Sequence, residues 1–350
     1  MPKAIPCIPH VQRMESHKLE YLRAINMAIN YPFQSEDGRE PSADHFALTK
    51  QCKKLTGIEN WLFTNCCTDS LQIAFHTLCN PGDTVIIPAY GWRAITNAPR
   101  FMQMKIVYCD IDETGNVDTD MLNQMIIDYK PKAVLVVHNF GTIVDVTKIS
   151  QTAKENGCYI IEDAAPSFTM GENYSYKLGS ASNAVCFSFD FTKSPGCLGA
   201  GGGLATNDGY LFNKFKTICS HKTKQNLIGT KSYLDTIAAA VLREDMRIIE
   251  HNRYRKRRVE VATYYLNKMP FKTLPGENYI FHRFIILPDK HEKQSVLNKL
   301  RSQKILAKSV FEPNSFDCRR AVEFYEQAIE LPCHQFVDIN DLNDRLQRIL

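Results

Sequence analysis

The segment FSFDFTKSPG, residues 187–196, places a lysine, Lys193, just after a run of aromatic and small residues. The alternation of Phe187 and Phe189 with polar residues indicates a buried strand that ends close to this lysine. An isolated lysine at such a position is usually a surface residue. The chemistry of Lys193 therefore depends on what the rest of the chain brings to the same end of the strand.

Further apolar runs with the same strand-like character come before this segment and alternate with helical patterns. The predicted strands are DTVIIPAY (83–90), KIVYCDID (105–112), KAVLVVHNF (132–140), GCYIIEDAA (157–165) and NAVCFSFDF (183–191). The predicted helices between them are DSLQIAFHTL (69–78), WRAITNAPRFM (92–102), DTDMLNQMIIDY (118–129) and TKISQTAKENG (147–157). This alternation predicts an α/β fold with a mostly parallel sheet that helices cover on both faces.

The C-terminal part of the chain has a different pattern. A long helix is predicted over residues 233–267, and a strand follows at YIFHRFIIL (279–287). Helical segments complete this part, at EKQSVLNKLRSQKI (292–305), RAVEFYEQAIELP (320–332) and DINDLNDRLQRIL (338–350). We therefore predict a large domain over residues 1–240, whose segment 1–35 could pack with the small domain, and a smaller C-terminal α+β domain over residues 241–350.

Composition excludes several classes of protein. With 350 residues, 44% of them apolar, the chain can bury a large core, and its net charge of +4 is too low for a typical nucleic-acid binder. Its one basic cluster, NRYRKRRVE (252–260), is interpreted as a solvated helix face or a contact for an anionic ligand. The twelve cysteines are scattered without the spacing of a metal site, and no signal core or membrane span is present. We expect a soluble cytoplasmic protein that holds no metal.

The residues just beyond the strands are the first candidates for function, because ligands of such sheets bind at the carboxyl ends of the strands. Asp163, in YIIEDAAPS, follows an apolar run, where an ionised carboxylate is costly unless a cation meets it. It could simply cap the next turn, or it could be the counter-ion of a protonated pyridine nitrogen. Lys193 would then be the amine that forms a Schiff base with the same ligand.

Three further features fit the same ligand. Cys67, Thr68 and Asp69 open a helix whose N-terminus could bind a phosphate, although an ordinary N-cap is the plainer interpretation. Trp92 could stack on an aromatic cofactor or simply pack, and Ser188 could bond a phosphate or a neighbouring backbone group. Together with Asp163 and Lys193, these features predict a site for pyridoxal 5′-phosphate.

The sequence resembles the DegT/DnrJ/EryC1/StrS family of sugar aminotransferases, which have the fold-type-I aminotransferase fold. The resemblance runs through nearly the whole chain, in the segments CCTDSLQIAF, GDTVIIPAYGWRAITNA, YCDIDETGNVD, KAVLVVHNFG, YIIEDAA, GSASNAVCFSFDFTK, GCLGAGGGLATND and IELPCHQ. It implies that Lys193 is the Schiff-base lysine and the carrier of the donor's Cα proton, and that Asp163 is the partner of the pyridine nitrogen. It also implies that Trp92 stacks on the cofactor and that Thr68 and Ser188 contact its phosphate.

The resemblance also implies a reaction. Glutamate would donate its amino group to a nucleotide-linked 4-keto-6-deoxyhexose, giving the 4-amino-4,6-dideoxy sugar, as in viosamine or perosamine synthesis. Amination of a 3-keto sugar and a non-catalytic, cofactor-binding regulatory role are the alternatives, and the nucleotide stays open between UDP, GDP and dTDP. A dehydratase branch of the family has a histidine in place of the Schiff-base lysine, and Lys193 argues against that branch.

Several positions depart from the family pattern. Pro166 stands where the family usually has a glutamine, and Phe168 stands where it usually has a histidine. In the loop SHKTKQNLIGTKSYLD (220–235), His221, Lys231 and Tyr233 occupy positions of the family's Asn-His-Gly and Gly-x-Asn-x-Arg patterns. We predict that Lys231 binds the cofactor phosphate of a neighbouring subunit, because an ammonium group is a competent phosphate ligand. This implies a homodimer with active sites at the subunit interface.

Overall fold

The computed structural model describes residues 3–30, 42–168, 176–220, 228–275 and 281–349. The strands are β1 (Ile5–Pro6), β2 (Asn60–Thr64), β3 (Thr84–Pro88), β4 (Lys105–Cys109), β5 (Ala133–Val137), β6 (Tyr159–Asp163), β7 (Ala184–Ser188), β8 (Gly202–Thr206), β9 (Lys272–Thr273), β10 (Phe284–Leu287), β11 (Ile305–Leu306), β12 (Lys308–Ser309) and β13 (Ile329–Leu331).

The α-helices are α1 (His10–Ser16), α2 (Lys18–Asn30), α3 (Ala43–Thr56), α4 (Cys67–Leu78), α5 (Ala94–Phe101), α6 (Thr119–Tyr129), α7 (Thr147–Glu155), α8 (Gly209–Cys219), α9 (Thr236–His251), α10 (Tyr254–Lys268), α11 (Lys293–Ser302), α12 (Arg319–Gln327) and α13 (Ile339–Leu346). Within the described ranges, no helix combines the length and the apolar character that crossing a membrane would require.

The large sheet has seven strands in the order β2-β8-β7-β6-β5-β3-β4. Strands β3 to β7 pair in parallel with their neighbours among themselves, whereas β8 is antiparallel to both β2 and β7. The five apolar runs predicted as strands are β3 to β7. The mostly parallel α/β sheet predicted from the sequence is therefore confirmed.

Both faces of this sheet are buried, which explains the nearly continuous apolar strands. Along β7, Val185 and Phe187 contribute to one hydrophobic core, while Ala184 and Cys186 contribute to the core on the other face. All five residues of β5 are buried. Helices cover the two cores, as predicted.

The order of the strands creates a crevice at one edge of the sheet. The chain passes from β3 to β4 on one side and then returns to place β5 on the other side of β3. Ligands of such sheets bind at this reversal, beyond the carboxyl ends of the strands. Because β5, β6 and β7 run parallel, His138, Asp163 and Ser188 reach the same edge of the sheet.

The C-terminal region forms its own layer. Strands β12-β13-β10-β9 make a four-stranded antiparallel sheet, and the predicted strand in 279–287 is β10. The N-terminal β1 pairs in parallel with β11, with Ile5 opposite Ile305. Helix α9 runs continuously through residue 240. The division of the chain at residue 240 therefore stays a prediction.

The single long helix predicted over residues 233–267 is wrong, because two helices occupy this range. Helix α9 ends at His251 and α10 begins at Tyr254. Between them the side-chain amide of Asn252 donates to the carbonyl of Ile248 at 3.0 Å, competing for a backbone acceptor of the helix. Arg253 then adopts a left-handed backbone with φ of 51°. This residue redirects the chain, so that the basic cluster begins a new helix.

Candidate active site

Asp163 is buried at the carboxyl end of β6, with 4% of its surface exposed. One oxygen, Oδ1, accepts the backbone N–H of Ala165 at 3.0 Å and lies 3.9 Å from the thiol of Cys67. Among the described residues, none donates a hydrogen bond to the other oxygen, Oδ2. Burial raises the pKa of Asp163, while the Ala165 hydrogen bond and the charge of Lys193 oppose that rise. The carboxylate thus has an oxygen open to a cationic ligand.

Lys193 is held by a tight turn that follows β7. The backbone N–H and the hydroxyl of Thr192 donate to Asp190 Oδ1 at 2.9 and 2.6 Å, and the N–H of Lys193 donates to the Asp190 carbonyl at 2.8 Å. Arg13 donates to the carbonyls of Phe191 and Lys193. Burial lowers the pKa of Lys193, the charge of Arg283 lowers it further, and Asp163 acts in the opposite direction. These effects favour the neutral amine that a nucleophile or a base requires.

The predicted phosphate cup is the N-terminus of α4, which begins at Cys67. The first backbone N–H groups of a helix have no partner within the helix and form a natural anion site. The carboxylate of Asp69 accepts the hydroxyl of Ser232 at 2.6 Å, so this side chain is already committed. The backbone amides of the first turn, with Thr68 in it, are left to receive an anion.

Ser188 lies beside this helix N-terminus because of the register of the sheet. Gly202 in β8 pairs with Ser188 in β7 on one side and with Thr64 in β2 on the other. Helix α4 follows β2 closely, and a Cβ added at Gly202 would lie 2.3 Å from the carbonyl carbon of Cys66. Only glycine permits this close approach. The structure thus brings Ser188 and the start of α4 to one edge of the sheet.

Among the described residues, no hydrogen bond or ring contact joins Trp92 or the side chain of Lys231 to Asp163, Lys193 or Ser188. Trp92 is 60% exposed, and its ring packs edge-on against Phe311 with centroids 4.9 Å apart. Lys231 has an exposed side chain, and its carbonyl accepts the side-chain amide of Asn65 at 3.4 Å. Their contacts with the cofactor stay predictions, and His221 lies outside the described residues.

A small cavity opens beside Lys193. Its lining includes Arg13, Arg258, Arg283 and Gln335, which come from the N-terminal and C-terminal parts of the chain. Sequence reasoning assigned none of these residues to the site. The signal available in the sequence was the basic cluster over residues 252–260, which contains Arg258 but does not reveal which of its side chains point inward.

A sequence profile of the DegT/DnrJ/EryC1/StrS aminotransferase family matches residues 38–344. The chain belongs to this family. The resemblance inferred from the sequence is therefore confirmed over most of the chain. Aminotransferases of the DegT/DnrJ/EryC1/StrS family depend on pyridoxal 5′-phosphate, so the predicted cofactor is confirmed as that of the family.

Three curated relatives are named as sugar aminotransferases or transaminases. UDP-2-acetamido-2-deoxy-3-oxo-D-glucuronate aminotransferase of Pseudomonas aeruginosa is 36% identical over 190 residues, 52% of this chain and 52% of that protein. The 3-oxo-glucose-6-phosphate:glutamate aminotransferase of Bacillus subtilis is 27% identical over 70% of this chain and 58% of its own length. UDP-4-amino-4,6-dideoxy-N-acetyl-beta-L-altrosamine transaminase of Campylobacter jejuni is 24% identical over 81% of this chain and 83% of its own length. The chain thus spans less than two thirds of the length of the Pseudomonas and Bacillus relatives.

A solved structure of another protein has the same fold. Streptomyces venezuelae DesV, in complex with a ketimine intermediate, superimposes with a TM-score of 0.86 at 21% sequence identity and covers 100% of both chains. At this identity the likeness concerns the fold. The predicted fold-type-I architecture is thereby confirmed.

The residues at the sheet edge fit the family's cofactor. Asp163 Oδ2 is open to a pyridine N–H, the half-buried Lys193 follows the neighbouring strand, and the first turn of α4 offers amides for a phosphate. Cys67 joins two of these groups, since it begins α4 and its thiol contacts Asp163. Burial raises the pKa of the Cys67 thiol well above its usual value, so this side chain adds no negative charge to the site.

The departure at Phe168 has a structural explanation in this family member. Phe168 is buried, and its ring lies edge-on to Trp61, Phe187 and Phe189, with centroids 5.1 to 6.1 Å apart. It belongs to the hydrophobic core on one face of the sheet. The phenylalanine thus stabilises the strands that carry the site, whereas Pro166 lies half-buried in the turn after Asp163.

Glu162 is a further buried carboxylate, to which the sequence analysis assigned no role. Its Oε1 accepts the hydroxyl of Tyr176 and the N–H of Gly179, each at 2.9 Å, and the hydroxyl of Ser182. Its Oε2 lies 2.9 Å from His138 Nε2. Because His138 Nδ1 accepts a backbone N–H at 3.1 Å, the ring proton is on Nε2 and is donated to Glu162. This network fixes the carboxyl ends of β5 and β6.

Proposed function

We propose that this protein is a pyridoxal phosphate-dependent aminotransferase that moves an amino group from glutamate to a keto carbon of a nucleotide-linked sugar. The observation that carries the proposal is that the buried Asp163 ends β6 and the half-buried Lys193 follows the neighbouring parallel strand, β7, at the same edge of the sheet, where the charge of each acts on the pKa of the other. Membership of an aminotransferase family supports it, as do relatives named for nucleotide-linked sugars. The glutamate donor is supported by the name of the Bacillus subtilis relative.

Each residue of the site has a distinct task in this reaction. When bound, the cofactor supplies an electron-accepting ring that stabilises negative charge on the carbon losing its proton. Asp163 holds the proton on the ring nitrogen. The Nζ of Lys193 takes the proton from the donor's Cα and delivers it on, which requires a neutral amine. The first turn of α4 and the hydroxyl of Ser188 hold the phosphate and so fix the distance between the ring and Lys193.

The proposed acceptor is a 4-keto-6-deoxyhexose, which becomes a 4-amino-4,6-dideoxy sugar of the viosamine or perosamine type. Its support is the Campylobacter relative, which covers 81% of this chain and is named for a 4-amino-4,6-dideoxy sugar. A 3-keto sugar is the second candidate, because the more similar Pseudomonas relative and the Bacillus relative are named for 3-oxo sugars.

The proposed active form is a homodimer in which Lys231 reaches the cofactor phosphate of the other subunit. Its support is the exposed position of Lys231, on a segment whose backbone contacts Asn65 beside the start of α4. Lys231→Ala is expected to weaken cofactor retention. An unchanged cofactor dissociation constant, or an active monomer in light scattering, would contradict this arrangement.

The experiment that tests the function uses the holoenzyme, glutamate and a panel of nucleotide-linked 3-keto and 4-keto sugars. Glutamate alone should bleach the yellow form of the protein, and a keto sugar should restore it while an amino sugar appears in mass and NMR spectra. The position of the new amino group decides between the two acceptors. A yellow protein that glutamate does not bleach would instead be a cofactor-binding regulator.

A further inference from the structure

The cavity beside Lys193 is strongly cationic. Four of its lining residues are basic, namely Arg13, Lys193, Arg258 and Arg283, and none of the described residues that line it is acidic. Burial and the nearby Arg283, Lys193 and Arg258 charges lower the pKa of His282 well below its usual value, so this histidine is neutral. The cavity therefore favours an anion.

Two of the four cations are already paired. Arg13 lies 3.5 Å from Asp245 and also donates to backbone carbonyls. Arg283 lies 3.2 Å from Glu330 and donates to the carbonyl of Cys7 at 3.1 Å. Their charges are thus largely balanced within the protein.

Arg258 is different from both. It is only 7% exposed, its Nε is buried without a hydrogen-bond partner, and no ion pair joins its guanidinium to any described residue. Burial, and to a smaller extent the charges of Arg283 and Arg13, lower the pKa of Arg258 to about 10, which still leaves it charged at neutral pH. A buried charge without a partner is costly. A ligand anion would supply the missing partner.

Gln335 also lines the cavity and also has buried polar atoms without partners. It is 9% exposed, and both its amide nitrogen and its amide oxygen lack hydrogen-bond partners among the described residues. The cavity concentrates such atoms: His10 Nδ1, Arg13 Nε, Arg258 Nε and the two amide atoms of Gln335 are five of the thirteen unpaired buried side-chain atoms in the described ranges. Buried polar groups are normally paired, so this concentration points to a bound polar molecule.

We propose that Arg258 and Gln335 bind a carboxylate group of the amino donor, a dicarboxylic amino acid, in this cavity. The inference rests on the proposed function, because only an amino-transfer reaction brings such a donor to Lys193. A guanidinium matches a carboxylate with two parallel hydrogen bonds, and the amide of Gln335 adds a donor.

The test measures the binding of glutarate to the holoenzyme by titration calorimetry. Glutarate has two carboxylates and no amine, so its binding does not depend on turnover. Arg258→Met should weaken glutarate binding by about tenfold or more, the usual loss for a charge-assisted hydrogen bond. Arg258→Lys should bind with intermediate affinity. The control Lys256→Met removes an exposed charge from the same helix and should leave the affinity unchanged.

Inorganic phosphate provides the second arm of the experiment. If Arg258→Met loses phosphate binding but keeps the wild-type affinity for glutarate, the cavity is a phosphate site and the inference is overturned. Absence of glutarate binding to the wild-type holoenzyme overturns it as well. If glutarate binds through Arg258 but no keto sugar is ever aminated, the proposed acceptor reaction fails while the carboxylate site stands.

Protein stability supplies a readout that separates binding from a structural role. Arg258→Met removes an unpaired buried charge, so the melting temperature of the apoprotein should stay the same or rise. An arginine kept for structural reasons would give a lower melting temperature. The proposal would be overturned by the following pair of results. Arg258→Met lowers both the melting temperature and the glutarate affinity, and Arg258→Lys restores the melting temperature but not the affinity.

Discussion

Two neighbouring carboxylates at the end of β6 face opposite sides of the sheet and have opposite surroundings. Glu162 accepts hydrogen bonds from Tyr176, Gly179, Ser182 and His138. Asp163 accepts a single backbone N–H and contacts a thiol, which leaves one oxygen open. The difference separates a carboxylate that stabilises the fold from one that is held ready for a ligand.

The arginines of the cavity repeat this contrast. Arg13 and Arg258 are both nearly buried, yet Arg13 is paired with Asp245 and with carbonyl groups while Arg258 has no partner among the described residues. Burial alone therefore does not mark a functional residue. The combination of burial with an unmet hydrogen-bonding or charge requirement, at the edge where a ligand is expected, is the reason for our proposals on Asp163 and Arg258.

The largest effect is expected for Lys193→Met. Loss of the amine that links the cofactor and moves the proton should lower the amination rate by at least about a thousandfold.

The same variant should also affect the stability of the apoprotein. Because the pKa of Lys193 is lowered, its charge destabilises the fold below that pKa, so the apoprotein of the variant should be at least as stable as the wild type at neutral pH. This advantage should disappear in alkaline solution, where the amine is neutral in both states. Turnover assays and thermal melts check both points.

A matched control for that change is Lys154→Met, which removes an exposed lysine at the end of α7. Its rate and its absorption spectrum should equal those of the wild type. Residual wild-type turnover in Lys193→Met would contradict the assigned role.

Asp163→Asn is expected to have the next largest effect, a loss of about a hundredfold in rate, because a neutral amide does not hold the ring proton by charge. The pKa of Asp163 is raised by burial, so its ionised form costs stability as pH rises above the usual value of an aspartate. The Asn apoprotein should therefore be more stable at neutral pH, and the gain should vanish in acid. An unchanged rate would remove Asp163 from the chemistry.

Glu162→Gln tests the other side of the comparison. The glutamine amide has one oxygen acceptor and one NH₂ donor in place of the two acceptor oxygens of Glu162. In either orientation of the amide, the NH₂ group faces N–H or O–H groups that donate to Glu162 in the wild type. We expect a loss of about 1–3 kcal/mol in the free energy of unfolding, measured with urea, for the unmet hydrogen bonds. The rate per folded molecule should fall much less than in Asp163→Asn. A stable Gln variant with a lost rate would reverse the two assignments.

The smallest effect is expected for Arg283→Gln. Removal of this positive charge should raise the pKa of Lys193, since Arg283 is one of the causes that lower it. Uptake of pyridoxal phosphate by the apoprotein requires the neutral amine, so its rate should reach its midpoint at a higher pH than in the wild type. Visible absorbance after mixing measures this rate across the pH range. The exposed Arg319→Gln serves as the control and should not move the midpoint.

Prediction from sequence succeeded for the elements whose signal is local. Strands β3 to β7 are continuous apolar runs, and the parallel order follows from their alternation with helices. Asp163, which ends β6, and Lys193, which follows β7 by five residues, were proposed as site residues because of their places relative to these strands, and their roles stay predictions. The single helix over 233–267 failed, because one left-handed residue, Arg253, breaks a region whose periodicity continues on both sides.

The sequence by itself therefore determined the large sheet, and it predicted the edge of that sheet and the two residues, Asp163 and Lys193, to which we assign the chemistry. Only the tertiary structure decided which buried charges are paired. Arg13 meets Asp245, and Arg283 meets Glu330, across large distances in the chain, whereas Arg258 meets no described partner. The physical reason is that pairing depends on which distant groups come within a few ångströms of each other, and no local pattern of residues records that distance.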